Sequence, residues 1–327
     1  MVLGYVLRKA SQYGAALAVV LIINFALPRL APGDPLDYRL GNQSFQLQPA
    51  QRKRILAQFG LDKSIPQQFG QYISDLAHGD LGTSVQFGRP VEAVILDRLP
   101  WTLALVGTSI LLASAIGASA GALAAWKRGK RADVGSLALV MFLDSMPIFW
   151  VGMILLGIFA VQLGWLPVFG AVSLGDATGL AHTADVLKRL VLPVTTLTVG
   201  TVGGIFLVSR YSMLSTMRQE FLLMAEASGI SQRRILFAHA LRNSLLPVAT
   251  VVMLNVGFIL GGATVVETVF SYPGLGRLIY ESVLARDYPV LQGTFLLLAL
   301  GVIVANFLSD LLYPMLDPRL RRPAPPS

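Results

Sequence analysis

The sequence predicts an all-α polytopic membrane protein with six transmembrane helices, on three observations. Hydrophobic residues make up 54% of the 327 positions and charged residues only 13%, a balance outside the range of soluble domains. The mean hydropathy is +0.64. Six apolar runs, near 10–29, 101–125, 134–163, 190–209, 244–266 and 290–313, each supply the roughly 20 residues that a helix needs to cross the hydrocarbon core.

The first run follows Arg8 and Lys9 and continues through AALAVVLIINFALPRLAPGDP. Its apolar core is longer than that of a signal peptide and lacks a small-residue cleavage site, so it is read as an uncleaved span. Residues 30–99 form an external insertion between helices 1 and 2, with seven Lys/Arg against seven Asp/Glu. The stretch QFGLDKSIPQQFGQYISDL within it is expected to fold as short helices over the outer face. Asp62 is the expected helix cap, and Pro66 is expected to break that helix soon after. Gly33, Pro35, Gly79, Gly82, Gly88 and Pro90 punctuate the insertion as turns.

Orientation follows from the basic loops. With the N-terminus inside, segments 1–9, 126–133, 210–243 and 314–327 hold 14 Lys/Arg against four acids, Asp133, Glu220, Glu226 and Asp317. The short loop WKRGKRAD carries the clearest signal, and only Lys188 and Arg189, at the outer start of span four, run against it. The predicted organisation is residues 1–29 as cytoplasmic N-terminus and first helix, 30–99 as the insertion, 100–313 as the membrane core with a cytoplasmic loop at 210–243, and 314–327 as a cytoplasmic tail. The net charge of +8 is read as basic loops beside anionic headgroups, not as a nucleic-acid surface. Glycines four apart, Gly117 and Gly121, Gly200 and Gly204, and Gly257 and Gly261, predict close helix packing.

Several chemistries are excluded or weakened. The chain has no cysteine, so it carries no disulfide, thiolate site or cysteine nucleophile. No G-x-x-x-x-G-K-[ST] phosphate loop occurs, since Ala124 stands where the first glycine before Gly129 and Lys130 is needed; ATP-driven work therefore requires another subunit. His78, His182 and His239 lack metal-ligand spacing. Gly117 to Gly121 matches the G-x-S-x-G pattern around Ser119, but it lies in an unbroken apolar run, whereas a nucleophile elbow needs a strand, a sharp turn and a histidine base. An intramembrane serine hydrolase is thus the weakest of the readings, and a non-transporting scaffold is a second.

Inside the spans, LVMFLDSMPIFW places Asp144, Ser145 and Pro147 together, and Asn255 lies in span five. An ionised carboxylate at such depth costs about 2.5–3.5 kcal/mol, so Asp144 either lines a solute path or sits hydrated at a kink made by Pro147. Residues 210–243 are too polar to cross the membrane and too rich in helix formers to be slack. Gly229 breaks the run after MAEAS, Ser231 is placed to start a new helix, and ISQRRILFAHALRN is expected to continue until Pro247 opens the next span. This describes a helix, a hinge and a second helix along the cytoplasmic face. Arg233, Arg234 and Arg242 are available to acidic groups of a partner, and Ile235, Leu236 and Phe237 to its groove; a lipid-bound basic loop is the other reading.

Ala225-Glu226-Ala227, followed by Gly229 and, eighteen positions later, Pro247, resembles the Glu-Ala-Ala loop by which permeases of ABC importers contact their ATPases. With the Arg233–Arg234 pair and the HALRN run through His239 and Arg242, it is similar to the dipeptide/oligopeptide/nickel branch. RLAPGDP, GRPVEAVILDRLPWTLAL, MPIFWVGMILLGIFAVQLGWLPVFG, ETVFSYPGLGRLIYESVLARDYPVLQG and DLLYPMLDPRLR are similar to that branch in the same order. Asp144 and Glu226 depart from its usual residues. The resemblance implies a type I ABC importer permease fold in a bacterial or archaeal inner membrane. It further implies a second homologous permease subunit, two ATPase subunits holding ATP and Mg, an external solute-binding protein and short peptides as solute; this chain would bind no cofactor. Nickel chelates, glutathione and other small solutes remain open as cargo.

Overall fold

The computed structural model describes residues 2–30, 51, 54, 62–173, 179–220, 224, 227–231, 234–235 and 240–316, and these are predominantly helical. The helices among them are α1 (Val2–Leu30), α2 (Ile65–Ala77), α3 (Val91–Trp126), α4 (Arg131–Asp144), α5 (Ile148–Leu155), α6 (Leu180–Thr216), α7 (Leu241–Val269), α8 (Leu275–Ala285) and α9 (Tyr288–Leu316). Five of the six predicted apolar runs fall on one continuous helix each, the exception being 134–163. By length and hydropathy, Leu7–Leu30, Val91–Trp126, Leu180–Thr216 and Tyr288–Leu308 can each cross a membrane, with a fifth span if the bent pair 131–144 and 148–162 counts as one. The fifth predicted run, 244–266, is covered by α7.

The expected single rod over 134–163 is broken instead. α4 and the helix that follows it are bent by 98°. Pro147 has no amide hydrogen and sits at φ −58°, ψ 133°, so the helical ladder cannot pass through it. Past α5 the coil widens into a π-helical turn, Leu156–Gln162, which periodicity gave no sign of.

The chain folds as two compact units: residues 1–102 with 273–303, and residues 103–272 with 304–327. In the first unit, Val91, Val94, Ile95, Leu275, Leu278 and Val290 form a buried core. α3 thus begins at Val91, ten residues before the predicted span, because these turns have an apolar face to bury. Gly293 lets α9 approach α3, since a methyl group there would lie 2.7 Å from Val91 Cγ1. The Asp287 carboxylate, fully buried, accepts from Ser84 Oγ at 2.5 Å and from the Gln86 N–H at 3.0 Å. Asn24 donates to Tyr72 Oη at 3.1 Å and to the Gln292 carbonyl at 3.0 Å, and Gln292 Nε2 returns a bond to the Asn24 carbonyl. Burial pushes the Tyr72 phenol above its usual range. α2 corrects the expected cap: Ser64, not Asp62, starts it, with Gln67 Oε1 accepting from the Ser64 N–H. Pro66 does not break this helix, because in a first turn its missing N–H leaves no bond unmade.

In the second unit α6 is the central element, contacted by α4, α5 and α7. Its 37 residues extend about 55 Å, well beyond a hydrocarbon core of about 30 Å. Small residues set the approach of its neighbours. A methyl group at Gly117 would lie 2.9 Å from Ile205 Cγ2, and one at Gly121 would strike the Phe206 carbonyl and Ser209. Ser209 Oγ donates to the Ala118 carbonyl at 2.8 Å across the same seam. Gly200 meets Ile148 just past the bend. Its predicted companion Gly204 faces open space; Gly203 is the residue in contact, against Asp144. The side chains of Gly257 and Gly261's segment lie outside the described residues. The outlying basic residue Arg189 is matched by Asp185 one turn earlier, at 3.1 Å, and donates to the Phe169 carbonyl at 2.6 Å. Ser119 lies on an exposed face in the interior of α3, so the elbow that a serine nucleophile needs is absent there.

Candidate functional site

The polar segment between α6 and α7 is anchored on one side and bare on the other. Ile235 and Ala240 are buried with Ala122 and Ala125 of α3 and Met213 of α6, and Ile230, Trp126, Leu214, Met217 and Leu241 pack around them. Met224, Ala227, Ser228, Gly229, Ser231 and Arg234 are exposed. The apolar positions 230, 235 and 240 recur every five residues and pack into this one cluster.

Local chemistry explains the shape. Ser228 N–H and Oγ both donate to the Met224 carbonyl, closing the first helical piece. Gly229 then takes φ +75°, a left-handed conformation that a side chain disfavours, and among the described residues none beyond its chain neighbours lies within 4 Å of where its Cβ would be. The Ile235 N–H donates to the Ser231 carbonyl at 3.0 Å, which starts the second piece where the sequence placed it. Ser212 Oγ of α6 donates to the Ser244 carbonyl of α7 at 2.9 Å, pinning the far end. α7 already begins at Leu241, so Pro247 lies inside it, not at its start as expected; a membrane-type helix tolerates proline in its interior.

Behind the segment, Arg210 of α6 grips Asp133 of α4 with two hydrogen bonds, Nε to Oδ1 at 2.8 Å and a terminal nitrogen to Oδ2 at 3.0 Å. The two side chains are 13% and 5% exposed, so the pair is largely desolvated. The Gly129 N–H also donates to Asp133 at 3.0 Å, which holds the turn bearing exposed Lys127, Arg128, Lys130 and Arg131. Leaving one partner of such a pair unpaired costs about 3–5 kcal/mol. Sequence reading counted Asp133 and Arg210 only as loop charges. The signal for their pairing was a lone acid among four bases, level with the arginine that ends an apolar run.

The predicted residues divide as follows. Ala227 and Arg234 are exposed and Gly229 forms the hinge, as expected, whereas Ile235 packs on this chain's own helices and is corrected as a partner-groove residue. Ala225, Glu226, Arg233, Leu236, Phe237 and His239 lie outside the described residues, and Arg242 is placed on α7 by its backbone alone. Asp144, Ser145 and Pro147 are exposed together at the 98° bend, with Ser145 Oγ turned back to the Phe142 carbonyl at 2.7 Å. Asp144 rests on Gly203, where a methyl group would lie 2.6 Å from its Oδ1. Asn255 is half-buried on α7, and no hydrogen bond among the described residues joins it to the bend.

A family model described as "Binding-protein-dependent transport system inner membrane component" matches residues 117–322. The "Di/tripeptide transport system permease protein DppB" of Pseudomonas aeruginosa (strain UCBPP-PA14) is 37% identical, covering 98% of this chain and 99% of that protein. The "Dipeptide transport system permease protein DppB" of Escherichia coli (strain K12) is likewise 37% identical with the same coverage. Among solved structures, the inward-facing "MetNI methionine ABC transporter" matches with a TM-score of 0.56 and 18% identity, over 69% of this chain and 97% of that one.

The anchored and bare faces predict opposite responses to charge. Ile235→Asp places an unpaired carboxylate in the apolar cluster and is expected to cost about 1–3 kcal/mol, while exposed Arg234→Glu leaves stability unchanged. Limited proteolysis of both proteins in detergent reads the difference; equal cleavage of both would contradict the anchoring.

Proposed function

The chain belongs to the binding-protein-dependent transport system inner membrane component family, and from that premise we propose that it imports short peptides and docks its ATPases through residues 225–243. It is a permease subunit of an ABC importer with a type I fold and is itself no ATPase. The observation that carries the docking is the two-sided polar segment: one face is fixed to α3 and α6 by Ile235 and Ala240, and the other, with Ala227, Gly229 and Arg234, is left open for a partner. A segment that must transmit force needs both, a rigid back and a free front. The Arg233–Arg234 pair and Arg242 supply cations for acidic groups on the ATPases, and Ala225-Glu226-Ala227 with Gly229 seats in their groove.

Peptide as cargo is supported by the printed activity of relatives that align over nearly the full chain. The working assembly is a heterodimer with a second homologous permease subunit, two ATPases that hold ATP and Mg, and an external solute-binding protein. Both termini and the 225–243 segment are cytoplasmic in this reading, with residues 30–99 and 267–289 toward the binding protein. ATPase closure pushes the segment, and the motion opens a path past the bend at Asp144, Ser145 and Pro147 and past Asn255.

Two outcomes are expected of the complex in lipid. Its ATP hydrolysis is stimulated by binding protein loaded with di- or tripeptide and not by empty binding protein, and the Arg233→Glu, Arg234→Glu chain loses the ATPases in pull-downs while still inserting. Stimulation by nickel chelates alone would replace the cargo, and absence of any copurifying ATPase would overturn the docking. Separately, Asp144→Ala is expected to slow uptake of cationic peptides about tenfold more than neutral ones, a differential of about 1.4 kcal/mol; equal effects would remove Asp144 from the path.

A further inference from the structure

α4 is tied to α6 at both of its ends. At one end the Arg210 guanidinium holds Asp133 through two hydrogen bonds, with the Gly129 amide on the same carboxylate. At the other, Asp144 rests against Gly203, and just past the bend Ile148 rests against Gly200. Gly203 and Arg210 are seven residues apart on α6, about two turns, so both ties lie on one side of that helix. Arg210 is also flanked by residues that serve the polar segment. Met213, three positions on, is fully buried in the cluster with Ile235 and Ala240, and Ser212 is bonded to Ser244.

We infer that the Asp133–Arg210 pair is the positioning link that passes movement of the polar segment to the bend at Asp144–Pro147. Pushing Ile235 and Ala240 displaces Met213 and the α6 turn that carries Arg210. A planar guanidinium bonded twice to one carboxylate fixes orientation as well as distance, so α4 turns with α6 and does not slide along it. Because Asp144 is the last residue of α4, that rotation arrives at the break, where Pro147 has already interrupted the helical ladder. A buried ion pair adds little net stability over apolar residues of similar volume, whereas its geometry cannot be reproduced by them. Fixed register is what this pair contributes beyond adhesion. The inference rests on the importer reading above.

The test replaces the pair in the full reconstituted complex. Asp133→Leu with Arg210→Met keeps a packed, uncharged contact. It is expected to copurify with the ATPases and hydrolyse ATP at the basal rate, while stimulation by peptide-loaded binding protein falls about tenfold. Asp133→Glu, which keeps the carboxylate, its pairing with the guanidinium and an acceptor for the Gly129 N–H, is expected to retain most of the stimulation that the apolar pair loses. Wild-type stimulation in the apolar pair overturns the inference. If the apolar pair does not assemble, Arg210→Lys decides, since it keeps the charge and loses the fork: unchanged stimulation overturns the link, and a several-fold loss supports it. A wild-type chain that retains no ATPase overturns the importer reading itself, before any variant is compared.

Discussion

The geometry of the second unit hangs on one guanidinium. Arg210 stands where the long α6 helix leaves its apolar stretch, and its two bonds to Asp133 fix the start of α4, the basic turn at 127–131 and the α6 turn beneath the polar segment. An arginine at that level would otherwise need water or headgroups, so the pairing converts a solvation requirement into a fixed contact between helices. Ser209, its neighbour, ties the same turn to α3 through the Ala118 carbonyl.

Small residues make this approach of backbones feasible. Between apolar helices in lipid, association rests on close packing and interhelical hydrogen bonds, since the tails offer no hydrophobic contrast. Gly117 and Gly121 let α3 lie against α6, Gly200 and Gly203 admit Ile148 and Asp144, and Gly293 does the same in the first unit. The polar segment is held more conventionally, by a cluster of Ile235, Ala240 and Met213 on the ends of α3 and α6.

How far the sequence could be read depended on the range of the interaction. The apolar runs, the Gly229 hinge and the helix start at Ser231 are local, set by hydropathy and backbone preference, and they are where periodicity put them. The break at Pro147 is legible as a kink, but its 98° goes with the packing of α5 against α6 and α7 and is not, and the π-helical turn after it has no signal in the sequence. A four-residue spacing points to Gly204, whereas the contact is made at Gly203, against Asp144 at the end of α4. Ile235 sits among charges that suggest an exposed position, whereas it is buried against Ala122 and Ala125, more than a hundred positions earlier in the chain. Asp133 with Arg210, and Asp287 with Ser84, join residues 77 and 203 positions apart, a distance over which no spacing rule applies.

The central claim is that the polar segment and the adjoining ends of α3 and α6 move as one body. The chain contains no cysteine, so a pair introduced at exposed Lys127 and Ser231 can carry the only spin labels on this subunit while the docking arginines stay in place. Their distance distribution would be measured in the lipid-reconstituted complex, without nucleotide and with the ATPases trapped closed on ATP. The account predicts the same distribution in both states, because both positions ride on one anchored cluster. A distance that shifts between the states would contradict it, since the segment would then be moving over the helices and not with them.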